Sequence, residues 1–116
     1  MEQKRTLSLL VDNTPGLLSR VAGLFSRRGY NIETITAGVT ADPRYTRMTV
    51  VLYCSDEMIL EQIKKQLAKL VDVRDIKELK PDESVRRELM LVKIRVNENE
   101  RRNVIAISDV FRGRIV

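Results

Sequence analysis

The 116 residues are 43% hydrophobic and 32% charged, which supports one compact core with part of a second and argues against wholesale disorder. Histidine is absent and Cys54 is the single cysteine, which excludes imidazole bases, Ser-His and Cys-His nucleophile pairs, histidine or cysteine-rich metal sites and an internal disulfide. The net charge of +5 invites a nucleic-acid reading, but the basic pairs (Lys4-Arg5, Arg27-Arg28, Lys64-Lys65, Arg86-Arg87, Arg101-Arg102) mostly have acids close by, and aromatics make up only 4%.

No apolar run reaches membrane-spanning length, and Met1 to Arg5 lack the apolar stretch of a signal peptide. The expectation is a cytoplasmic protein that binds neither membrane nor nucleic acid.

Residues 4–12 read as a strand rich in Leu and Val. Asn13-Thr14-Pro15-Gly16 ends it, with Thr14 expected as helix N-cap and Pro15 at the first helical position. Leu17, Leu18, Val21, Ala22 and Phe25 then fall at helical spacing, Arg27 and Arg28 occupy the last turn, and Gly29 closes the helix.

Tyr30 to Thr40 is dense in β-branched residues and reads as a strand. After the Asp42-Pro43 turn comes an alternating strand, with Met48, Val50, Leu52 and Cys54 on one face, so the two strands are expected to form a hairpin. Ser55 or Asp56 caps a second helix with a stripe of Ile59, Ile63, Leu67 and Leu70, and Glu61 pairs with Lys65 on its wet face. A fourth strand runs from Val71 to about Leu79, disturbed near Arg74-Asp75 by a bulge.

The order β-α-β-β-α-β is the ferredoxin-like arrangement, an α+β fold with two helices on one face of an antiparallel sheet; the other face needs cover or is itself a binding face. The domain is expected to span residues 1–80, with a polar linker at 81–84. Residues 85–116 then begin a second domain as strand (Met90, Val92, Ile94, Val96), helix (about Glu100 to Arg112, ended by Gly113) and strand (Arg114 onward). That domain is expected to be incomplete, since a β-α-β start lacks the strands that would stabilise it.

The stretch NTPGLLSRVAGLFSRRGYNIETIT (13–36) resembles the signature of the ACT domain, specifically that of acetolactate synthase small subunits. Pro43–Thr49 (PRYTRMT), Glu61–Val73 (EQIKKQLAKLVDV), Glu88–Lys93 (ELMLVK) and Phe111-Arg112-Gly113 match the same family in the right order. Thr34 and Ala37 are mild departures from the Ser and Val common there.

The resemblance implies a non-catalytic regulatory subunit that pairs through ACT domains and binds a branched-chain amino acid, valine foremost, at the interface. It implies a large catalytic partner that holds thiamine diphosphate, Mg2+ and FAD, with none of these in the small subunit. The small subunit would raise that partner's activity and confer feedback inhibition in valine, leucine and isoleucine synthesis. It also implies that Asn13, Gly16 and Leu17 come from one protomer and Asn31 and Ile32 from its neighbour.

The chemistry of these residues suits such a ligand. A helix N-terminus offers N–H groups and a positive dipole end to a carboxylate, and Gly16 permits close backbone approach. The amides of Asn13 and Asn31 donate and accept, while Leu17, Leu18 and Ile32 supply apolar surface for an aliphatic side chain. Pro15 and Ser19 are the supporting shell. Taken without the resemblance, the turn is an ordinary cap, the leucines are core, and Asn31 makes a local backbone bond.

Three other functions are set against this. A ferredoxin-like RNA-binding module would need aromatics on the central strands, where Tyr53 is available. A stand-alone enzyme would need an acid/base pair that no spacing nominates. An ACT sensor for another amino acid or enzyme would keep the fold and change the task.

Overall fold

In the computed structural model, which describes residues 3–116, the chain divides into two compact units, Met1–Arg86 and Arg87–Val116. In the first, the described residues form β1 (Gln3–Asp12), α1 (Leu17–Arg27), β2 (Ile32–Val39), β3 (Tyr45–Cys54), α2 (Glu57–Ala68) and β4 (Val73–Glu78). The sheet order is β2-β3-β1-β4 with every neighbouring pair antiparallel, which is the expected ferredoxin-like architecture.

Period-two alternation decides the layers. Leu7, Leu9 and Val11 of β1 and Met48, Val50, Leu52 and Cys54 of β3 face the helices and are buried. They meet Leu17, Val21, Leu24 and Phe25 of α1 and Leu60, Ile63 and Leu67 of α2. The opposite face carries Thr6, Ser8 and Leu10 beside Val51, Thr49 and Arg47, with Arg47 Nη1 donating to Ser8 Oγ at 3.1 Å. Tyr53 sits on this face opposite Lys4, and β1 contributes no aromatic there, so the stacking platform of an RNA-binding sheet is not assembled.

Several local expectations change. Thr14 does not cap α1: Gly16 is the N-cap at φ 77, and the Thr14 hydroxyl is engaged by Asp72 and Arg20 instead. At the other end Gly29 takes a positive φ, its N–H bonds Ser26 O and that of Tyr30 bonds Phe25 O, a Schellman closure. On α2, Asp56 is the cap, accepting from the Met58 N–H at 2.9 Å. The buried stripe includes Leu60, while Ile59 and Leu70 pack at its margin, because the sheet lies against the face one residue further round. Glu61 takes Lys64 at 2.9 Å in place of Lys65.

The expected bulge in β4 exists. Leu10 pairs with Asp75 and Val11 with Val73, so Arg74 is the extra residue.

In the second unit, α3 (Glu98–Val110) begins with a capping box in which Asn97 and Glu100 bond each other's backbone N–H. Its closing left-handed residue is Arg112, at φ 55, one position before the expected Gly113. Gly113 serves close approach instead: a Cβ there would lie 2.7 Å from Ser108 Oγ. The expected strands at Met90–Val96 and from Arg114 are not formed among the described residues. Met90, Val92 and Ile94 are exposed, and a β-ladder requires a partner strand, which these residues do not find.

Candidate functional site

The turn from β1 to α1 is built by polar contacts, since Asn13, Thr14, Pro15 and Gly16 are all exposed. Asn13 is tied to the β2–β3 loop, its backbone N–H bonding Arg44 O at 2.8 Å and its Nδ2 bonding Pro43 O at 3.1 Å. Thr14 N–H returns to Asp12 O at 2.9 Å. Thr14 Oγ1 donates to Asp72 Oδ1 at 3.2 Å and accepts from Arg20 Nη2 at 3.2 Å.

Gly16 adopts a left-handed conformation that ordinary L-residues enter at a cost of about 1–2 kcal/mol. It begins α1 with no side-chain cap and no acidic residue in the first turn, so among the described residues the first-turn N–H groups and the positive end of the helix dipole are left without a local side-chain acceptor. The Arg20 guanidinium stands beside it: a Cβ on Gly16 would lie 3.2 Å from Arg20 Nη1.

The apolar candidates separate. Leu17 is buried in the core beneath α1, so it brings its backbone N–H to the turn while its side chain packs inward. Leu18 is 54% exposed and presents its side chain outward, and Ser19 is exposed beside it. Ile32 is partly buried against the core, and Asn31 is exposed just before β2.

Within one chain these residues form two groups. Val39 pairs with Thr46, near the Asp12 end of β1, whereas Ile32 pairs with Leu52, opposite Arg5 near its beginning. The 11 residues of α1 separate Gly16 from Asn31 by about 16 Å of helix. One protomer therefore does not bring Asn13 and Gly16 to Asn31 and Ile32.

Composition did not single out Arg20, Asp72, Asp12 and Arg74, which brace this end of the sheet. Arg74 donates to both oxygens of Asp12, at 2.8 and 2.9 Å, and holds the Asp12 carboxyl below the usual carboxylate range. A bulge signal near Arg74 was legible; its long-range partner was not.

Comparison with known proteins fits this architecture. Residues 7–75 match a family model described as AHAS small subunit-like ACT domain, and residues 87–116 match one described as small subunit of acetolactate synthase. The chain belongs to the acetolactate synthase small-subunit family. It is 50% identical over 113 residues to the acetolactate synthase isozyme 3 small subunit of Escherichia coli, covering 97% of this chain and 69% of that protein. A probable acetolactate synthase small subunit of Methanothermobacter thermautotrophicus is 50% identical over 111 residues, covering 95% of this chain and 66% of that protein. This chain thus spans about two thirds of the length of these relatives.

Among solved structures, the acetolactate synthase small subunit of Thermotoga maritima superposes with a TM-score of 0.81 at 31% identity, over 98% of this chain and 71% of that one. The ACT domain from GTP pyrophosphokinase of Chlorobium tepidum shares the fold alone, with a TM-score of 0.59 at 16% identity, over 68% of this chain and 100% of that one. No helix among the described residues of this small-subunit relative is long and apolar enough to cross a membrane.

Proposed function

We propose that this chain is the non-catalytic regulatory subunit of a cytoplasmic acetolactate synthase, and that it binds a branched-chain amino acid, valine foremost, between two copies of its ACT domain. The observation that carries the reading is the uncapped, left-handed start of α1 at Gly16, held in a braced turn. The effector's carboxylate meets the first-turn N–H groups, and its aliphatic side chain lies against Leu18 and the second copy's Ile32. Asn13 of one copy and Asn31 of the other bond the ligand's polar groups. The separation of the two residue groups along α1 supports a second copy as the source of Asn31 and Ile32.

Bound valine then favours one arrangement of the pair, and that preference passes to a large catalytic subunit carrying thiamine diphosphate, Mg2+ and FAD. In this reading the small subunit raises that partner's activity and makes it sensitive to feedback inhibition.

Calorimetric titration with valine, leucine, isoleucine and lysine tests the first half. Saturable heat restricted to the branched-chain ligands is expected; equal heat from lysine, or none from any of them, contradicts the reading. Mixing the chain with a catalytic large subunit and assaying acetolactate formation with and without valine tests the second half.

A further inference from the structure

The exposed turn that holds Gly16 has little apolar burial to fix it, yet it is crossed by contacts from a distant segment. Asp72 lies between α2 and β4, 58 residues beyond Thr14. Its carboxylate accepts from Thr14 Oγ1 through Oδ1 at 3.2 Å and from Arg20 Nε through Oδ2 at 2.8 Å. Its backbone carbonyl accepts from the Asp12 N–H at 2.8 Å. Arg20 carries the tie onward, donating through Nη2 to Thr14 Oγ1 and through Nη1 to Pro15 O at 3.3 Å.

Helical geometry explains the choice of position. Arg20 stands four residues after Gly16, so it lies on the same face of α1 one turn along, and its long side chain folds back over the helix start. A guanidinium there would swing into solvent unless something held its Nε edge, and the Asp72 side chain, 17% exposed, does so. The planar fork then has two edges in use: one on Asp72, the other on Thr14 and Pro15.

We propose that Asp72 and Arg20 form a positioning clamp for the effector turn, setting the Thr14–Gly16 backbone in the geometry that receives an amino-acid carboxylate. The clamp rests on the effector-site reading above and deepens it, because it places part of the affinity in two residues that do not touch the ligand. Without the clamp, the turn must be ordered at each binding event, and the ordering cost appears as lost affinity.

The test uses the whole chain in four forms: unmodified, Asp72→Ala, Arg20→Ala and the double variant. Valine affinity is read by calorimetry, thermal stability by unfolding, and amide exchange by NMR at Asn13, Thr14 and Arg20, whose N–H groups have backbone acceptors in and beside the turn. Each single substitution is expected to weaken valine binding about tenfold, with the double variant no weaker than either single, since both remove one interaction. Exchange should quicken at these three amides and stay unchanged at Leu9 and Val50. Asp72→Asn, which keeps one oxygen acceptor, should fall between Asp72→Ala and the unmodified chain.

Valine binding by the unmodified chain with unchanged affinity in both singles overturns the clamp and leaves the effector site standing. Affinity losses that add in the double variant also overturn it. No valine binding by the unmodified chain removes the effector site and the clamp with it.

Discussion

Arg74, the extra residue of the β4 bulge, grips both carboxylate oxygens of Asp12, at 2.8 and 2.9 Å across 62 positions of sequence. The guanidinium hydrogen bonds hold the Asp12 carboxyl below the usual carboxylate range. Pairing thus lowers the folded-state value below the unfolded one. The contribution to stability is present above the unfolded value, about 4, and is lost as pH falls through the folded one.

Titration of side-chain carboxyl carbons by NMR should give Asp12 a depressed midpoint that rises toward the ordinary value in Arg74→Ala. Asp42, whose carboxyl is lowered by Arg44 on its own loop, should keep its depressed midpoint in that variant. An Asp12 midpoint indifferent to Arg74→Ala would show that the pair does not persist in solution.

Gly16→Asp should abolish the response to valine. The substituted carboxylate would stand at the Arg20 guanidinium, where a Cβ already approaches Nη1 to 3.2 Å, and would oppose the ligand's own charge. Gly16→Ala separates strain from charge: at φ 77 it should cost about 1 kcal/mol of stability while retaining weakened binding. A Gly16→Asp chain with an undiminished valine isotherm would remove Gly16 from the site.

Asn13→Ala and Asn31→Ala should each lose most of the valine affinity. Mixing the two variants should restore binding, because a mixed pair recreates one site with Asn13 from one copy and Asn31 from the other. Failure of the mixture to bind, with each variant folded and subunit exchange verified, would mean that the two asparagines do not serve one shared site.

Leu60→Ala should be the more damaging of two neighbouring truncations on α2. Leu60 is fully buried, whereas Ile59 packs at the margin of the core. A loss of about 3 kcal/mol in urea unfolding is expected for Leu60→Ala, and clearly less for Ile59→Ala. Equal losses would place the buried face of α2 one residue away from where it lies.

The order of the six elements of the first unit, the hairpin of β2 and β3 and the bulge in β4 were legible because each is set by short-range chemistry: period-two alternation, turn residues and helical spacing. Met48, Val50, Leu52 and Cys54 alternate in sequence and are buried in the fold for that reason. The NTPG turn was legible as a candidate site through its resemblance to a family signature.

Other features depended on where the chain returns in space. Thr14 has the chemistry of a cap, but folding brings Asp72 and Arg20 to its hydroxyl, and Gly16 begins the helix instead. Met90 to Val96 alternate like a strand, yet alternation only offers a face, and a ladder forms when a second backbone supplies its hydrogen bonds. Local sequence determined the elements of the first unit; tertiary structure decided that Thr14 and Arg20 meet Asp72 and that Asp12 meets Arg74, because those pairings join residues more than fifty positions apart.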